Sequence, residues 1–308
     1  MISRMFTRTN GLNTQIPAHR SMLDPQSGTM ELAIAVNVDV DNSGQIGRRP
    51  GQPRISSLAW TTIWCNGGRC FGAYDRTNDS AVAELLSDGV TVHTLATGFT
   101  KGARYSFTNV GDKYFFANNY ENGLISGDTV SSWPDTTGQK GTRRARQLYP
   151  APIAKHIAYW AGIMWLAFDN IIVASEPYSP GAYDLANRYF HFGSDIRMIR
   201  PVPGGLWLSD SEQFGFITCE ESFQNMRWIP KHSNPAHEYS VANELVNLSG
   251  SAWQVPGKSA VWSCDDGFVV GHEDGQFDIV TNNTLEYPKG TMGATVIQQG
   301  AQLINTVW

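Results

Sequence analysis

The sequence predicts an all-β protein assembled from repeated sheet modules, and three observations support this prediction. A glycine followed by a short apolar or aromatic run recurs along the chain, at Gly68, Gly111, Gly162, Gly205, Gly267 and Gly300. The mean spacing of about 46 residues lies near the roughly 40–50 residues of a propeller blade repeat. Thirty Gly, 15 Pro and 10 Trp among 308 residues fit many turns around large aromatic core residues. The predicted fold is therefore a single β-propeller.

The first 30 residues differ from the rest of the chain. Gly, Pro and Asn are scattered through residues 1–30 without any sustained apolar period. We expect an extended N-terminal arm that lies on a neighbouring molecule or on the chain's own body, followed by a propeller over residues 31–308. A frayed terminus is the alternative.

A β-hairpin is predicted next, over residues 33–49. Apolar and polar residues alternate from Val36 to Val40, which is the period of a half-buried strand. Residues 41–44 supply a turn, and residues 45–49 return before Pro50.

The hairpin has a predicted role in closing the propeller. The chain ends inside a repeat, so an unclosed last blade would expose unpaired backbone groups. We expect the N-terminal hairpin to pair with the C-terminal strand, through Val36, Val38, Val40, Arg48, Arg49, Leu303, Ile304 and Trp308.

Each repeat has room for about four short strands. Residues 81–86 and 90–95 illustrate two of them, with Gly89 in the turn between. We predict about six blades, although five or seven fit the same spacing, with insertions at residues 178–192 and 231–248. Helical turns are expected only at residues 143–148 and 222–226. A two-sheet sandwich followed by a smaller β domain is the alternative.

Charge and cysteine content limit the classes of function. The net charge of −5 gives no overall attraction to nucleic acid or to anionic membranes. No apolar run is long enough for a transmembrane helix, and residues 1–20 lack the apolar core of a secretory signal. We interpret the four cysteines as reduced buried thiols, with a Cys65–Cys70 hairpin bridge as the alternative.

Motifs for catalysis and cofactors are missing or incomplete. Residues 39–46 open like a calcium loop with Asp39, Asp41 and Ser43, but Pro50 stands where a bidentate acid is needed, so this is a weak calcium candidate. Zinc, nucleotide and nucleophile motifs are not found, and we predict no cofactor and no enzyme. Acidic pairs that a glycosidase could use occur in turns, at Glu220/Glu221, Asp265/Asp266 and Glu273/Asp274.

Two features are candidate contact surfaces. Residues 140–146 carry four cations, and Arg143, Arg144 and Arg146 could contact an acidic partner, solvent or, less favourably, DNA. The insertion at residues 178–192 carries Tyr178 and Tyr183, which we predict as partner contacts.

Three stretches resemble virion proteins of tailed bacteriophages, of the β-propeller type that builds tail nozzles and hubs. The first combines Gly-Leu-Asn at 11–13 with Asn-Val-Asp-Val at 37–40 and Gly-Gln-Ile-Gly-Arg-Arg-Pro-Gly at 44–51. The others are Ser-Glu-Pro-Tyr-Ser-Pro at 175–180 with Tyr183-Asp184, and residues 199–208.

This resemblance implies a structural role in the virion. The chain would be made in the host bacterial cytoplasm and would assemble into a symmetric ring with copies of itself. Other tail proteins, such as a portal-side adaptor, tail fibres or tail tube, would be its neighbours. DNA would pass without specific binding, and no membrane anchor is expected.

Two rival functions remain open. A binding module would recognise glycans or a host receptor through exposed aromatics such as Tyr178, Tyr183 and Tyr189. A glycoside hydrolase would use Glu220, Glu221, Asp265 or Asp266.

Overall fold

The computed structural model describes residues 56–66, 68–136, 147–218, 223–242, 258–281 and 287–295, together with the backbone of short strands outside these ranges. Among the residues that the structure describes, no helix reaches the length and hydropathy that a membrane crossing requires.

Two small strand pairs come first. Strands β1 (Thr9–Leu12) and β2 (Met30–Leu32) pair in parallel. Strands β3 (Val38–Val40) and β4 (Ile46–Arg48) form an antiparallel hairpin with Asp39 opposite Gly47. The prediction of a hairpin within residues 33–49 is therefore confirmed, whereas residues 36, 41, 43 and 49 lie outside the described residues.

Five antiparallel sheets follow in the described part of the chain, and we number them in chain order. Sheet 1 contains β5 (Ala59–Asn66), β6 (Arg69–Asp75), β7 (Ser80–Leu85) and β8 (Val92–Phe99). Sheet 2 contains β9 (Ser106–Val110), β10 (Lys113–Ala117), β11 (Asn122–Ser126) and β12 (Thr129–Ser131). Sheet 3 contains β13 (His156–Trp160), β14 (Ile163–Phe168), β15 (Ile171–Glu176), β16 (Ser179–Tyr183) and β17 (Tyr189–His191).

The remaining strands continue the pattern. Sheet 4 contains β18 (Met198–Val202), β19 (Gly205–Ser209), β20 (Phe214–Thr218) and β21 (Trp228–His232). Sheet 5 contains β22 (Val246–Asn247), β23 (Lys258–Cys264), β24 (Gly267–Gly271) and β25 (Phe277–Ile279). A last antiparallel pair is β26 (Gly293–Gln298) and β27 (Gln302–Val307).

The glycine repeat marks the same place in successive sheets. Gly68, Gly111 and Gly162 adopt positive φ angles of 83°, 62° and 78° in the turn before the second strand of sheets 1, 2 and 3. A residue without Cβ populates this region at no steric cost, so glycine fits a tight reversal there. In sheets 1 to 3 the predicted repeat is thus a repeat of the first turn of each sheet, whereas Gly267 begins β24, the third strand of sheet 5.

The apolar runs are continuous because both faces of these strands are buried. In β19, Leu206 and Leu208 pack toward sheet 3, whereas Trp207 between them packs toward sheet 5. Side chains alternate across a strand, so a strand buried on both faces reads as an unbroken apolar run.

Consecutive sheets pack face to face, which gives four interfaces that we call the inner interfaces. Between sheets 1 and 2 the core includes Phe71, Val82 and Phe116. The other three are represented by Phe115 and Met164 (sheets 2 and 3), Trp165 and Leu208 (sheets 3 and 4), and Trp207 and Trp262 (sheets 4 and 5).

Sheets 1 and 5 each have a second apolar face, and we call these the outer faces. On sheet 1 it carries Tyr74, Ala81 and Ala83. On sheet 5 it carries Val261 and Val270, with Ala242 packed against them. All of these residues are buried.

Several finer expectations can be compared with the structure. The insertion at 178–192 supplies β16 and β17, which both pair with β15. Within the described ranges, the expected helical turn at 222–226 is a 3-10 helix over Phe223–Asn225. The pairing of the N-terminal hairpin with the C-terminal strand stays a prediction, as do the arm over residues 1–30 and the blade count.

The prediction of four reduced thiols is wrong for one pair. Cys65 and Cys70 stand directly opposite each other in the β5–β6 hairpin and form a disulfide. Cys264 is a free and buried thiol, as predicted. Cys219 lies outside the described residues.

Candidate functional site: the central cavity

The first strands of sheets 1 to 4 line a cavity of about 740 Å³, which we call the central cavity. Its wall includes residues of β5, β9, β13, β18 and β26, and of the segment 236–242. That segment runs beside β23, because the amides of His237 and Ala242 donate to the carbonyls of Ser263 and Val261.

Small polar side chains connect neighbouring first strands. The hydroxyl of Ser106 on β9 lies 3.0 Å from the amide of Ile157 on β13. The hydroxyls of Thr62 and Thr108 accept from the amides of Tyr105 and Tyr159, at 3.0 and 3.2 Å. Each first strand lies at a sheet edge, and these side chains satisfy backbone donors that would otherwise lack a ladder partner.

The cavity wall is cationic although the chain is acidic. Arg104, Arg197, Arg200 and Lys258 line it, whereas no Asp or Glu occurs among the described lining residues. Cations that share a concave surface raise the local concentration of anions. The net charge of −5 therefore does not predict the local potential of this cavity.

A buried polar network lies behind one side of the wall, where His156 and Tyr239 line the cavity and Lys155 and Glu238 do not. The Nε2 atom of His156 lies 3.5 Å from Oε1 of Glu238, and the same oxygen pairs with the ammonium group of Lys155. The ring of Tyr239 lies 5.2 Å from the ring of His156, and the guanidinium carbon of Arg104 lies 5.3 Å from the Tyr239 ring.

Burial and charge set the protonation states in this network. Burial lowers the pKa of His156, and Glu238 offsets this only in part, so the imidazole favours its neutral form. Burial would raise the pKa of Glu238, but the contacts with His156 and Lys155 outweigh it and hold the pKa below its ordinary value. The carboxylate is therefore charged at neutral pH and compensated by Lys155.

The predicted tyrosine contacts fall in two different environments. Tyr178 is 83% exposed and sits in the β15–β16 turn, and Tyr189 is 46% exposed. The expectation that Tyr183 is exposed is wrong, because its side chain is fully buried between sheets 2 and 3. Its hydroxyl donates to the carbonyl of Pro180 at 2.9 Å.

Other predicted site residues lie outside the described residues. These are Arg143, Arg144 and Arg146 of the basic cluster, Asp41 and Ser43 of the weak calcium candidate, Glu220 and Glu221, and Arg49 and Trp308 of the closure. Arg48, Leu303 and Ile304 are described only as backbone, in β4 and β27.

The described acidic pairs have structural partners. Asp265 accepts from His237 at 2.9 Å, and Asp266 accepts from His232 at 2.6 Å. Asp274 accepts from the amide of Gln276 within its own turn. Each of these aspartates therefore holds a nearby histidine or a turn amide, which is a structural role.

Two Ser–His–Asp arrangements were not predicted from the sequence. His237 contacts Ser263 at 3.0 Å and Asp265 at 2.9 Å. His272 contacts Ser259 at 3.2 Å and Asp278 at 3.0 Å. Both serines are fully buried, so a substrate cannot reach their hydroxyls, and the arrangements connect strands rather than form nucleophiles. Sheet pairing brings their members together, and no short motif contains them.

Comparisons with known proteins identify no family. No family model and no curated protein matches this chain. Among solved structures, a protein from Lactobacillus plantarum is 11% identical, with 83% of this chain and 80% of that chain covered and a TM-score of 0.48. An auxiliary nutrient binding protein from Bacteroides thetaiotaomicron is 8% identical, with 78% of this chain but 64% of that chain covered and a TM-score of 0.48.

A third solved structure is similar at the same low level. It is a candidate 6-phosphogluconolactonase from Bacteroides uniformis, 12% identical, with 80% of this chain and 76% of that chain covered and a TM-score of 0.42. None of the three is a phage tail protein by its name. At these identities and TM-scores, the likenesses carry no conclusion about activity.

Proposed function

We propose that this chain is a non-enzymatic component of a bacteriophage tail, acting as a nozzle, hub or adaptor in a symmetric ring. The order of the three resembling stretches along one chain carries the proposal. The modular all-β body supports it, because sheets packed face to face give a rigid unit suited to an assembly.

We also propose that the body is a closed propeller of about six blades. Five consecutive sheets each pack on the next, and the first strands of sheets 1 to 4 line one cavity together with Lys258 of sheet 5. The terminal hairpins β3–β4 and β26–β27 would supply the sixth blade between the outer faces of sheets 1 and 5. Both outer faces carry buried apolar side chains that a covering sheet would pack against.

The size of the cavity bears on where DNA would pass. A volume of about 740 Å³ is that of a small-ligand site, for which about 300–1,000 Å³ is usual. A duplex whose major groove alone is about 12 Å wide does not fit inside. We therefore expect the DNA channel to lie between copies of the chain. The solvent-facing surface of each copy, and not its central cavity, would line that channel.

Among the residues that the structure describes, Tyr178 is the strongest candidate for a contact between tail proteins. It is a large aromatic residue, 83% exposed, in a turn where its own φ is 54°. Aromatic side chains provide large contact areas at low entropic cost and are enriched in protein interfaces.

Immunogold labelling of purified virions would test the tail assignment. Antibody against this chain should label the tail, and native mass spectrometry of the purified chain should show a ring of copies. Label on the capsid alone, or none on the virion, would overturn the proposal.

A second candidate function is a binding module for a small anionic ligand. The cationic wall of the central cavity, without acids among its described residues, favours it. Calorimetric titrations with glucose 6-phosphate and with glucose test whether binding depends on the negative charge of the ligand, because the two ligands differ only in the phosphate group. Selective binding of the phosphate, weakened by Arg197→Gln and Lys258→Gln, would support this function, whereas equal or absent binding would refute it.

A further inference from the structure

Three potential metal ligands meet where sheet 4 contacts sheet 5. His232 ends β21, Cys264 ends β23, and Asp266 lies in the turn that follows. One ligand atom from each residue lies within 4.8 Å of the other two. We call this group the His-Cys-Asp cluster.

The three residue types match the ligand preferences of one metal. Zn²⁺ binds thiolate sulfur, imidazole nitrogen and carboxylate oxygen at about 2.0–2.3 Å, in tetrahedral geometry. Those bond lengths place ligand atoms roughly 3.3–3.8 Å apart. The 2.6 Å contact between His232 and Asp266 is shorter than this, and opening it by about 1 Å would make room for the ion.

The surroundings of the cluster suit a metal ion. The amide of Asn234 donates to Asp266 at 2.7 Å, which orients the carboxylate as outer-shell partners of metal ligands do. The side chains of His232 and Asp266 are 25% and 34% exposed, whereas Cys264 is buried. The ion would be reached from solvent on one side, where water can take a fourth position.

A second cluster of comparable composition provides a contrast. Glu84, His93 and Asp128 also lie close together. Arg69 donates two hydrogen bonds of 2.6 Å to Glu84 and lies 3.6 Å from Asp128, so a guanidinium already supplies the positive charge there. This second cluster also lacks a sulfur ligand.

We propose that His232, Cys264 and Asp266 form a Zn²⁺ site that links sheet 4 to sheet 5. The ion takes Nε2 of His232, the sulfur of Cys264 and a carboxylate oxygen of Asp266, with water as the fourth ligand. It ties the last strand of sheet 4 to the β23–β24 turn of sheet 5 and adds a cross-link at the inner interface. Zn²⁺ binding at this cluster does not depend on the tail assignment.

The test uses the full chain, stripped with a chelator and kept without reductant under anaerobic conditions so that the Cys65–Cys70 disulfide stays intact. Zn²⁺ is titrated by calorimetry, and Co²⁺ is added separately to detect the near-ultraviolet charge-transfer band of a cobalt–thiolate bond. We expect one ion per chain at this site, a cobalt–thiolate band, and a melting temperature that rises with Zn²⁺ concentration.

Adjacent aspartates supply matched variants. Asp266→Asn should weaken Zn²⁺ binding by more than the ~10–100-fold typical of losing an outer-shell partner. Asp265→Asn should leave binding unchanged, because Asp265 pairs with His237 outside the cluster. Cys264→Ala should abolish the cobalt–thiolate band.

Three results would overturn the proposal. They are a folded wild-type chain that takes up no Zn²⁺, equal loss in both aspartate variants, or a cobalt–thiolate band that survives in Cys264→Ala. If Cys264→Ala does not fold, the two aspartate variants, which change partly exposed side chains, still decide the outcome.

Discussion

The four inner interfaces and the two outer faces are built by the same strand pattern but filled differently. The inner interfaces hold large aromatic residues, such as Trp207 against Trp262 with ring centroids 5.2 Å apart. The buried residues of the outer faces are mainly small, such as Ala81, Ala83 and Val270, with Tyr74 as the one buried aromatic among the described residues. The alternation of side chains along a strand therefore specifies two apolar faces for every sheet. Which neighbouring element covers each face depends on the tertiary structure.

The largest expected effect tests what covers the outer faces. Deleting residues 33–49 should remove part of the proposed sixth blade and expose the apolar faces of sheets 1 and 5. We expect the chain to lose its single cooperative unfolding transition, measured by circular dichroism and calorimetry. Deleting residues 1–30 is the control and should keep the transition. A melting temperature unchanged by the 33–49 deletion would contradict closure by this hairpin.

A large effect is also expected at an inner interface. Trp207 is fully buried between sheets 4 and 5, and its indole nitrogen donates to the carbonyl of His272 at 3.0 Å. Trp207→Ala should lower the free energy of unfolding by about 3–5 kcal/mol, because a large cavity remains. Urea unfolding measures this. Tyr178→Ala, at an exposed aromatic, should change it by less than about 0.5 kcal/mol, and similar losses in both variants would argue against the assigned burial.

A matched pair compares the two kinds of face directly. Val269 packs in the inner interface of sheets 4 and 5, whereas its neighbour Val270 lies on the outer face of sheet 5. Both side chains are buried. Each Val→Ala change should therefore lower the free energy of unfolding, measured with urea, by about 1–3 kcal/mol. A much smaller cost at Val270 would mean that the outer face is poorly covered.

The smallest expected effect concerns the rim of the interface between sheets 1 and 2. Arg69 holds the pKa of Glu84 below its ordinary value of 4.5, against the opposing effect of burial. The stabilisation is therefore present above the unfolded pKa of about 4.5 and is lost as pH falls through the lower folded pKa. Glu84→Gln should lower the free energy of unfolding by about 1 kcal/mol at pH 7. The difference in free energy of unfolding between this variant and the wild type should become smaller in acid.

Urea unfolding over a range of pH measures this difference. Asp128→Asn is the control, because Asp128 is 71% exposed and lies 3.6 Å from the same guanidinium. Its effect should be smaller at every pH, since exposed ion pairs contribute little. A gap between wild type and Glu84→Gln that stays constant as the solution is acidified would contradict the expected direction of the pH dependence.

Local signals predict the strands well. The glycine-led runs mark the second strands of sheets 1 to 4. A reversal before a buried strand favours a residue that tolerates positive φ, as at Gly111 and Gly162. The alternation from Val38 to Val40 predicts the first strand of the N-terminal hairpin. These features depend only on residues close together in sequence.

Side-chain environments are predicted less well. The sequence suggests an exposed Tyr183 because the residue lies in an insertion, yet that insertion is a strand whose inner face packs between sheets 2 and 3. The cysteine content does not favour a disulfide, although the hairpin register places Cys65 opposite Cys70. The cations of the central cavity come from distant residues such as Arg104, Arg197 and Lys258, which no motif connects.

The sequence by itself determined the all-β class, the position of the turns and the two apolar faces of each strand, because these depend on backbone sterics and on the two-residue period of side chains. Only the tertiary structure decided which sheets cover which faces, how an acidic chain acquires a cationic cavity, and which histidines meet which acids. Those outcomes depend on contacts between residues far apart in the chain, and local propensity does not encode them.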